Sequence, residues 1–251
     1  MRITFSLDIY LVLIAVGFIS GFINAVVGGG GLLVLPLMLW LGIPPVTALA
    51  TGKFQAVFGT LSSSINYFRN GLIDFKSLWP IMFFSMIASA CGTMIVLQLG
   101  NSVLENMLPY FLMGISLFTW LSPNVSDVET APILANKSFK WGIGAMIGFY
   151  GGFFGPGVGA IAALGFSVLL GEKLRSATAQ AKPVVLAANT VSVLIFLVDG
   201  HVLFVVGISM ALAQIVGAYF GSNFAMKKGA AVIRPLLIVT TMAIAIKLLV
   251  D

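Results

Sequence analysis

Charge is what this sequence lacks. Only 8% of its 251 residues are Asp, Glu, Lys or Arg, against about a quarter in a soluble domain. Hydrophobic residues make up 59% and mean hydropathy is +1.09. A soluble cytosolic or secreted protein is therefore excluded. The single Cys91 cannot close an intramolecular disulfide, and its place in an apolar run reads as a buried structural thiol. One histidine, one cysteine and eight carboxylates cannot supply a typical zinc site, so no metal or other cofactor is expected. No nucleophile–base pair is evident either. The Ser62-Ser63-Ser64 run has no partnering base, so it reads as helix packing and no enzyme is expected. Asp8, Asp74, Glu105, Asp127, Glu129, Glu172, Asp199 and Asp251 all fall at segment ends or in loops. A carboxylate proton relay or cation site inside the membrane is thereby disfavoured.

What is present is long apolar segments. They are too long and too many for β-barrel strands, which run about 10 residues and alternate. The expectation is an all-α polytopic membrane protein with eight segments. These are 8–42, 45–69, 77–99 and 103–121, then 141–170, 174–198, 201–225 and 230–250. Segments 1 and 5 are interrupted by glycine, at "VVGGGGLL" and "FFGPGVGA", which makes about ten helices if both sides of each break are counted. Residues 1–121 form a first membrane repeat, 122–140 a polar linker and 141–251 a second repeat. The N-terminus lacks a small-x-small cleavage site after a short apolar core and reads as the first membrane segment. The net charge of +5 reads as positive cytoplasmic loops rather than as a nucleic-acid surface.

The two halves resemble each other. "GFINAVVGGGG" (21–31) aligns with "GFYGGFFGPGV" (148–158), and "ALATGKFQ" (48–55) with "ATAQAKPV" (177–184), which places Lys53 on Lys182. "NGLIDF" (70–75) aligns with "DGHVLF" (199–204), "GT" at 92–93 falls on "GS" at 221–222, and Pro109 and Pro235 occupy similar places near the start of the last segment of each half. Eight simple crossings would spread the lysines and arginines nearly evenly over both sides. If the chain instead turns back at each glycine break, Arg69, Lys76, Lys137, Lys140, Lys173, Arg175, Lys227, Lys228 and Arg234 fall on one side, and only Arg2 and Lys247 on the other. Positive residues favour the cytoplasm. The expectation is thus two inverted-topology repeats in the inner (plasma) membrane with both termini outside. The stretch after the first break, 31–41, makes only about 16 Å of helix. That fits a short or re-entrant helix, although charge counting cannot separate re-entry from a full crossing.

Glycine runs cost about 1 kcal/mol per residue against alanine in a helix, and a broken membrane helix must have its freed backbone groups satisfied. "GGGGLL" is no phosphate loop, because no Gly-Lys-Ser/Thr follows. "GPGVGA" sits in apolar helix rather than in a strand–turn–helix unit. Close packing through small residues is one reading. The other is a pair of half-helix starts, whose free N–H groups attract anions and which mark transporter sites when they occur at matching places in two repeats. Lys53 and Lys182 favour the second. A charge in hydrocarbon costs about 3 kcal/mol or more, and this pair has no carboxylate in its own segments. Snorkelling to headgroups is the alternative. Pro183 disfavours helical geometry at Lys182 and predicts a local break there. The expected substrate-binding set is Lys53 and Lys182, the breaks Gly28, Gly29, Gly30, Gly31, Gly155, Pro156 and Gly157, and the polar neighbours Asn24, Thr51, Gln55, Gln180 and Asn189. Asn66 and Gln214 read as interhelical hydrogen bonds. His201, beside Asp199, reads as a loop histidine.

"GFINAVVGGGGLLVLPLMLWLGIPPVTALATGKFQ" and "GFYGGFFGPGVGAIAALGF…KLRSATAQAK" resemble the TauE/SafE sulfite-exporter family (TSUP), in particular its YfcA-like members. The likeness covers essentially the whole chain. This chain has Gly52 where YfcA-like members show asparagine, and "AKPVVLA" where they show "AKLLNA". The resemblance implies a membrane transporter of small sulfur-containing anions such as sulfite, sulfonates or thiosulfate. The residues themselves lead to an anion transporter working by alternating access of two inverted repeats around a midplane site. An anion channel is the alternative, with an intramembrane enzyme or a structural scaffold behind it. The expected partners are a small anion and the lipid bilayer, and no nucleic acid. A homo-oligomer is compatible with the sequence. The particular anion, the direction of transport and the coupling ion are left open by it.

Overall fold

The computed structural model describes residues 5–121 and 137–228, and the eighth segment, with Pro235, lies outside them. The described residues form eight helices and no strand. In chain order these are α1 (Leu7–Val27), α2 (Gly31–Trp40), α3 (Pro45–Arg69), α4 (Phe75–Leu121), α5 (Lys137–Phe153), α6 (Val158–Leu170), α7 (Leu174–Val198) and α8 (Phe204–Lys228). The protein is an all-helical polytopic membrane protein. Among the described residues, α1, α4, α7 and α8 are long and apolar enough to cross a membrane. The long helix without that apolar character, α3, is the one packed among α8, α7, α2, α1 and α4. Its polar side chains are thus shielded by other helices rather than exposed to lipid.

Each boundary has a local cause. Pro44 is extended, as a residue before proline must be, and Pro45 opens α3, where its missing N–H costs nothing. The next N–H, of Val46, donates to Asn101 Oδ1 at 3.0 Å, so α4 caps the start of α3. α4 is two arms, 75–99 and 101–121, joined at Gly100 with φ 70°. The chain folds back there. A Cβ on Gly92 would lie 2.7 Å from the Phe153 nitrogen, while the Phe153 ring meets Phe111 at 5.8 Å. One residue thus touches positions on both sides of the fold-back. The two arms match the separate segments expected at 77–99 and 103–121.

Helix directions follow from which residues meet. Gly17 packs on Met210 and Gly21 on Gln214, so α1 and α8 run parallel. Thr51 accepts from the Leu203 N–H at 3.0 Å and Asn66 reaches Ser222 at 2.6 Å, so α3 runs with them. Ser85 and Ser89 of α4 bond to Val184 and Ala188 of α7, and the same serines pack on Gly148 and Gly152 of α5. The first arm of α4, α5 and α7 are therefore also mutually parallel. Lys53 meets Ser192, and the short 70–74 turn joins α3 to α4, so this second set runs against the first. In consequence Arg69, Lys76, Lys137, Lys140, Lys173, Arg175, Lys227 and Lys228 all lie at one end of the bundle. Asp8, Glu105, Asp199 and His201 lie at the other, where His201 Nε2 meets Asp199 Oδ2 at 3.0 Å.

Two sequence expectations fail. Cys91 is exposed on the bundle surface. It lies two residues from buried Ser89, and two residues turn a helix by about 200°, so the thiol faces away from the bundle. The break expected at Pro183 is absent, because α7 runs unbroken from Leu174 to Val198. Pro183 is wholly enclosed by neighbouring helices, the setting in which a membrane helix tolerates proline.

The parallel pair α4–α5 comes together through glycine. A Cβ at Gly148 would lie 2.1 Å from Ser85 O, and one at Gly152 2.1 Å from Ser89 O. Gly148→Ala is expected to cost about 1–3 kcal/mol through overpacking. Gly142→Ala, where nothing lies within 4 Å, should leave stability level or slightly raised. Thermal unfolding of both variants in detergent checks the contrast.

Candidate functional site

The two glycine breaks touch. Gly28 ends α1 in the left-handed region, φ 85°, and its N–H returns to Asn24 O at 2.9 Å. A Cβ there would stand 2.2 Å from the carbonyl carbon of Gly159, and one on Gly159 2.6 Å from Gly28 Cα. Gly31, the first residue of α2, faces Pro156, and Gly30 lies against Ser20 and Asn24. The breaks therefore cross backbone to backbone, with no room for a side chain. α2 and α6 run back from this crossing toward the ends at which α1 and α5 began. Their 10 and 13 residues make about 15 and 20 Å of helix, short of the roughly 30 Å hydrocarbon core.

A helix that stops inside the bundle leaves carbonyls open at its end. Each lysine reaches a carbonyl near such an end from across the bundle, and the one Lys182 reaches also accepts the Gly28 N–H. Lys182 of α7 donates to Asn24 O of α1 at 2.5 Å. Lys53 of α3 donates to Gly152 O of α5 and to Ser192 Oγ at 2.9 Å, and its ammonium lies 5.2 Å from the centre of the Phe196 ring. Thr93 completes the second cluster, donating within reach of Gly152 O at 3.2 Å and Ser192 Oγ at 2.7 Å. The lysines are 4% and 1% exposed, and neither has a carboxylate partner among the described residues. A cation at a helix C-terminus is favourable. An ammonium has three donors, so these contacts leave one free on Lys53 and two on Lys182.

A cavity of about 40 Å³ lies at the crossing, room for about three waters. Of the residues expected at the site, Asn24, Gly28, Gly31, Lys53, Gly155, Pro156, Gly157 and Asn189 line it, joined by Gly52 and Phe154. Gly157 forms the N-terminal cap of α6 and Gly31 the first turn of α2, positions whose N–H groups have no acceptor within the helix. Asn189 Oδ1 is buried without a hydrogen-bond partner among the described residues. Asn24 Nδ2 reaches Thr60 Oγ1 at 3.1 Å.

The remaining expected residues fall outside the lining. Lys182 joins it only through Asn24. Gly29 and Gly30 are buried in the break behind it. Thr51 is spent on the Leu203 N–H. Gln55 is fully buried, and neither amide atom has a partner among the described residues. Gln180 turns to Glu172 Oε2 at 2.7 Å and Ser176 at 3.2 Å. Sequence reasoning missed Thr93 and Ser192, which hold Lys53. Their signal was present: Ser85, Ser89 and Thr93 repeat every four residues in an apolar helix, which puts small hydroxyls on one buried face.

The family model described as sulfite exporter TauE/SafE matches residues 13–248. A probable membrane transporter protein, ORF9, of Sinorhizobium sp is 39% identical over 95% of this chain and 92% of its own length. A probable membrane transporter protein of Haemophilus influenzae is 35% identical, with 98% and 96% covered. The probable membrane transporter protein YfcA of Escherichia coli K12 is 33% identical, with 96% and 89% covered.

The crossing is the site's most exacting feature. Gly28→Ala meets both a backbone clash and a left-handed φ, which together are expected to cost about 2–5 kcal/mol. The measurement is the shift in thermal midpoint and in the monodisperse fraction after extraction, with Gly52→Ala as the control, since a Cβ there finds only Val34 Cγ1 at 3.7 Å.

Proposed function

The chain belongs to the sulfite exporter TauE/SafE family of membrane transporters, and we propose that it carries a small anion of the sulfur oxyanion class (sulfite, a sulfonate or thiosulfate) across the inner membrane. The observation that carries this reading is the pair of buried lysines with no carboxylate partner, set at crossed helix breaks beside a cavity. Two enclosed cations are costly unless a negative charge joins them. The free donor of Lys53 and the Gly31 and Gly157 N–H groups in the cavity wall face that need, with Lys182 behind Asn24. An oxyanion offers several acceptor oxygens in a small volume, which suits donors converging from two sides. Charge-assisted bonds of this kind are worth about 1.5–3 kcal/mol each.

Transport follows from rearrangement of the two halves about this point. α1 and α3 run against their sequence counterparts α5 and α7, which supports reading residues 1–121 and 141–251 as inverted repeats. Each half extends a lysine into the other half's broken helix. An anion that draws the ammonium groups toward itself competes with Asn24 O and Gly152 O for them. Ligand binding is thereby coupled to the contacts that hold the halves together, as alternating access requires. The end rich in lysine and arginine faces the cytoplasm by the positive-inside rule, which leaves both termini outside.

Lys53→Met and Lys182→Met remove the charge while keeping most of the side-chain volume. Each is expected to weaken anion binding about 10- to 100-fold. The double variant should abolish uptake into proteoliposomes tested with sulfite, thiosulfate and an alkanesulfonate. Stability without ligand should fall by about 1–3 kcal/mol per site, since methionine removes a donor from a buried carbonyl, so binding is compared only in variants that remain monodisperse. Undiminished binding by a folded double variant would overturn the proposal. Ion currents far above transporter turnover would replace it with a channel.

A further inference from the structure

The cavity-lining face of α3 does not stop at the cavity. Lys53, Ala56, Thr60, Ser63, Ser64 and Tyr67 recur at spacings of three and four and so share one side of the helix. Lys53 and Ala56 line the cavity. Thr60, Ser63, Ser64 and Tyr67 continue toward the lysine-rich end, and all are at most 4% exposed. This column is made of hydroxyl groups without a carboxylate. The Ser64 hydroxyl is buried with no partner among the described residues, which is costly for a native polar group and calls for a function.

On α7 the same pattern leaves the cavity in the opposite direction. Val185 and Asn189 line the cavity, and Ser192 and Phe196 lie beyond. The shift of 129 residues that superposes Lys53 on Lys182 also superposes Ser63 on Ser192 and Tyr67 on Phe196. α3 and α7 run antiparallel, so Tyr67 stands near the lysine-rich end and Phe196 near the end holding Asp199. Both are among the largest fully buried side chains of the protein. Each stands toward its own end of the column, held in a different way. The Phe196 ring sits against the Lys53 ammonium, a contact with no hydrogen bond to its own backbone surroundings. The Tyr67 hydroxyl donates to Ala25 O at 2.9 Å, the carbonyl next to the one that Lys182 holds.

We propose that Tyr67 and Phe196 are the two gates of the transport route, and that the Tyr67–Ala25 hydrogen bond latches the gate at the lysine-rich end. This rests on the transport reading above. The anion leaves the cavity along Thr60, Ser63 and Ser64; the Ser64 hydroxyl is free to donate to it, while Ser63 must first give up its bond to the Gly59 or Thr60 carbonyl. Tyr67 is then the last barrier. Its latch is made to the broken end of α1, so the gate is tied to the position of the break. Phe196 at the matched place carries no hydroxyl, so its gate is held by packing and by the lysine.

The test uses thiol labelling, which needs no knowledge of the substrate. In a Cys91→Ser background, Ser64→Cys reports access to the α3 column. A membrane-impermeant methanethiosulfonate is applied to vesicles from the lysine-rich side. Tyr67→Phe, which removes only the hydroxyl, is expected to speed labelling about fivefold, as loss of one buried hydrogen bond predicts. Tyr67→Ala should speed it further, and Phe196→Ala should leave the rate from this side unchanged. Unchanged labelling in both Tyr67 variants, in protein that remains monodisperse, would overturn the gate. If anion flux persists in that case, the transport reading stands. Faster labelling with no flux of any anion in the parent protein would instead uphold the gate and overturn the choice of cargo.

Discussion

The contact on which the rest depends is the crossing of two interrupted helices at Gly28 and Gly159. Backbone meets backbone there, at a separation that excludes even a methyl group. Three consequences follow. α1 and α5 must stop inside the bundle, α2 and α6 must turn back, and open carbonyls must be answered where water is scarce. The answer comes from side chains long enough to reach across, Lys182 to Asn24 and Lys53 to Gly152. Each half of the chain thus finishes the hydrogen bonding of the other.

This arrangement binds fold and site into one problem. A lysine with no carboxylate beside it is an expensive way to cap a helix end, since a neutral donor such as the Thr93 hydroxyl also reaches the Gly152 carbonyl. The positive charge of both lysines has no carboxylate against it among the described residues. Lys53 stands in the wall of a small cavity that is lined largely by glycine and by small or apolar side chains. Small residues matter twice here: they let the helices cross, and they leave the cavity open beside the crossing. The buried hydroxyl-lined face of α3 and the closely packed glycine stripe of α5 are two kinds of surface, one polar and one given to rigid packing.

Much of this was legible in order along the chain. Segments expected at 45–69 and 174–198 coincide with α3 and α7, because their ends carry strong local signals: Pro44–Pro45 before one, and a polar Gly–Glu–Lys turn before the other. The breaks were legible because four adjacent glycines, or Gly-Pro-Gly, are poor helix formers even where small residues also serve packing. Other expectations depended on which way a side chain faces, and there one-dimensional reasoning weakened. Cys91 was placed inside because its neighbours are apolar, yet in a membrane protein the lipid-facing side is apolar too. Thr51 and Gln180 lie near the lysines in sequence but on other faces of their helices, so they serve Leu203 and Glu172 instead. Pro183 was expected to open the helix, but its surroundings hold the backbone in place.

The sequence by itself determined that the chain lives in a membrane, where its helices are interrupted, and that two lysines lie in apolar segments without carboxylates. These follow from composition and from local backbone chemistry, which neighbours in space cannot undo. Only the tertiary structure decided that the two breaks touch, that each lysine serves the opposite half, and that Thr93 and Ser192 hold one of them. Those facts depend on the rotation and crossing of helices distant in sequence. Helix rotation is set by the sum of many small packing contacts, and no single stretch of residues records it.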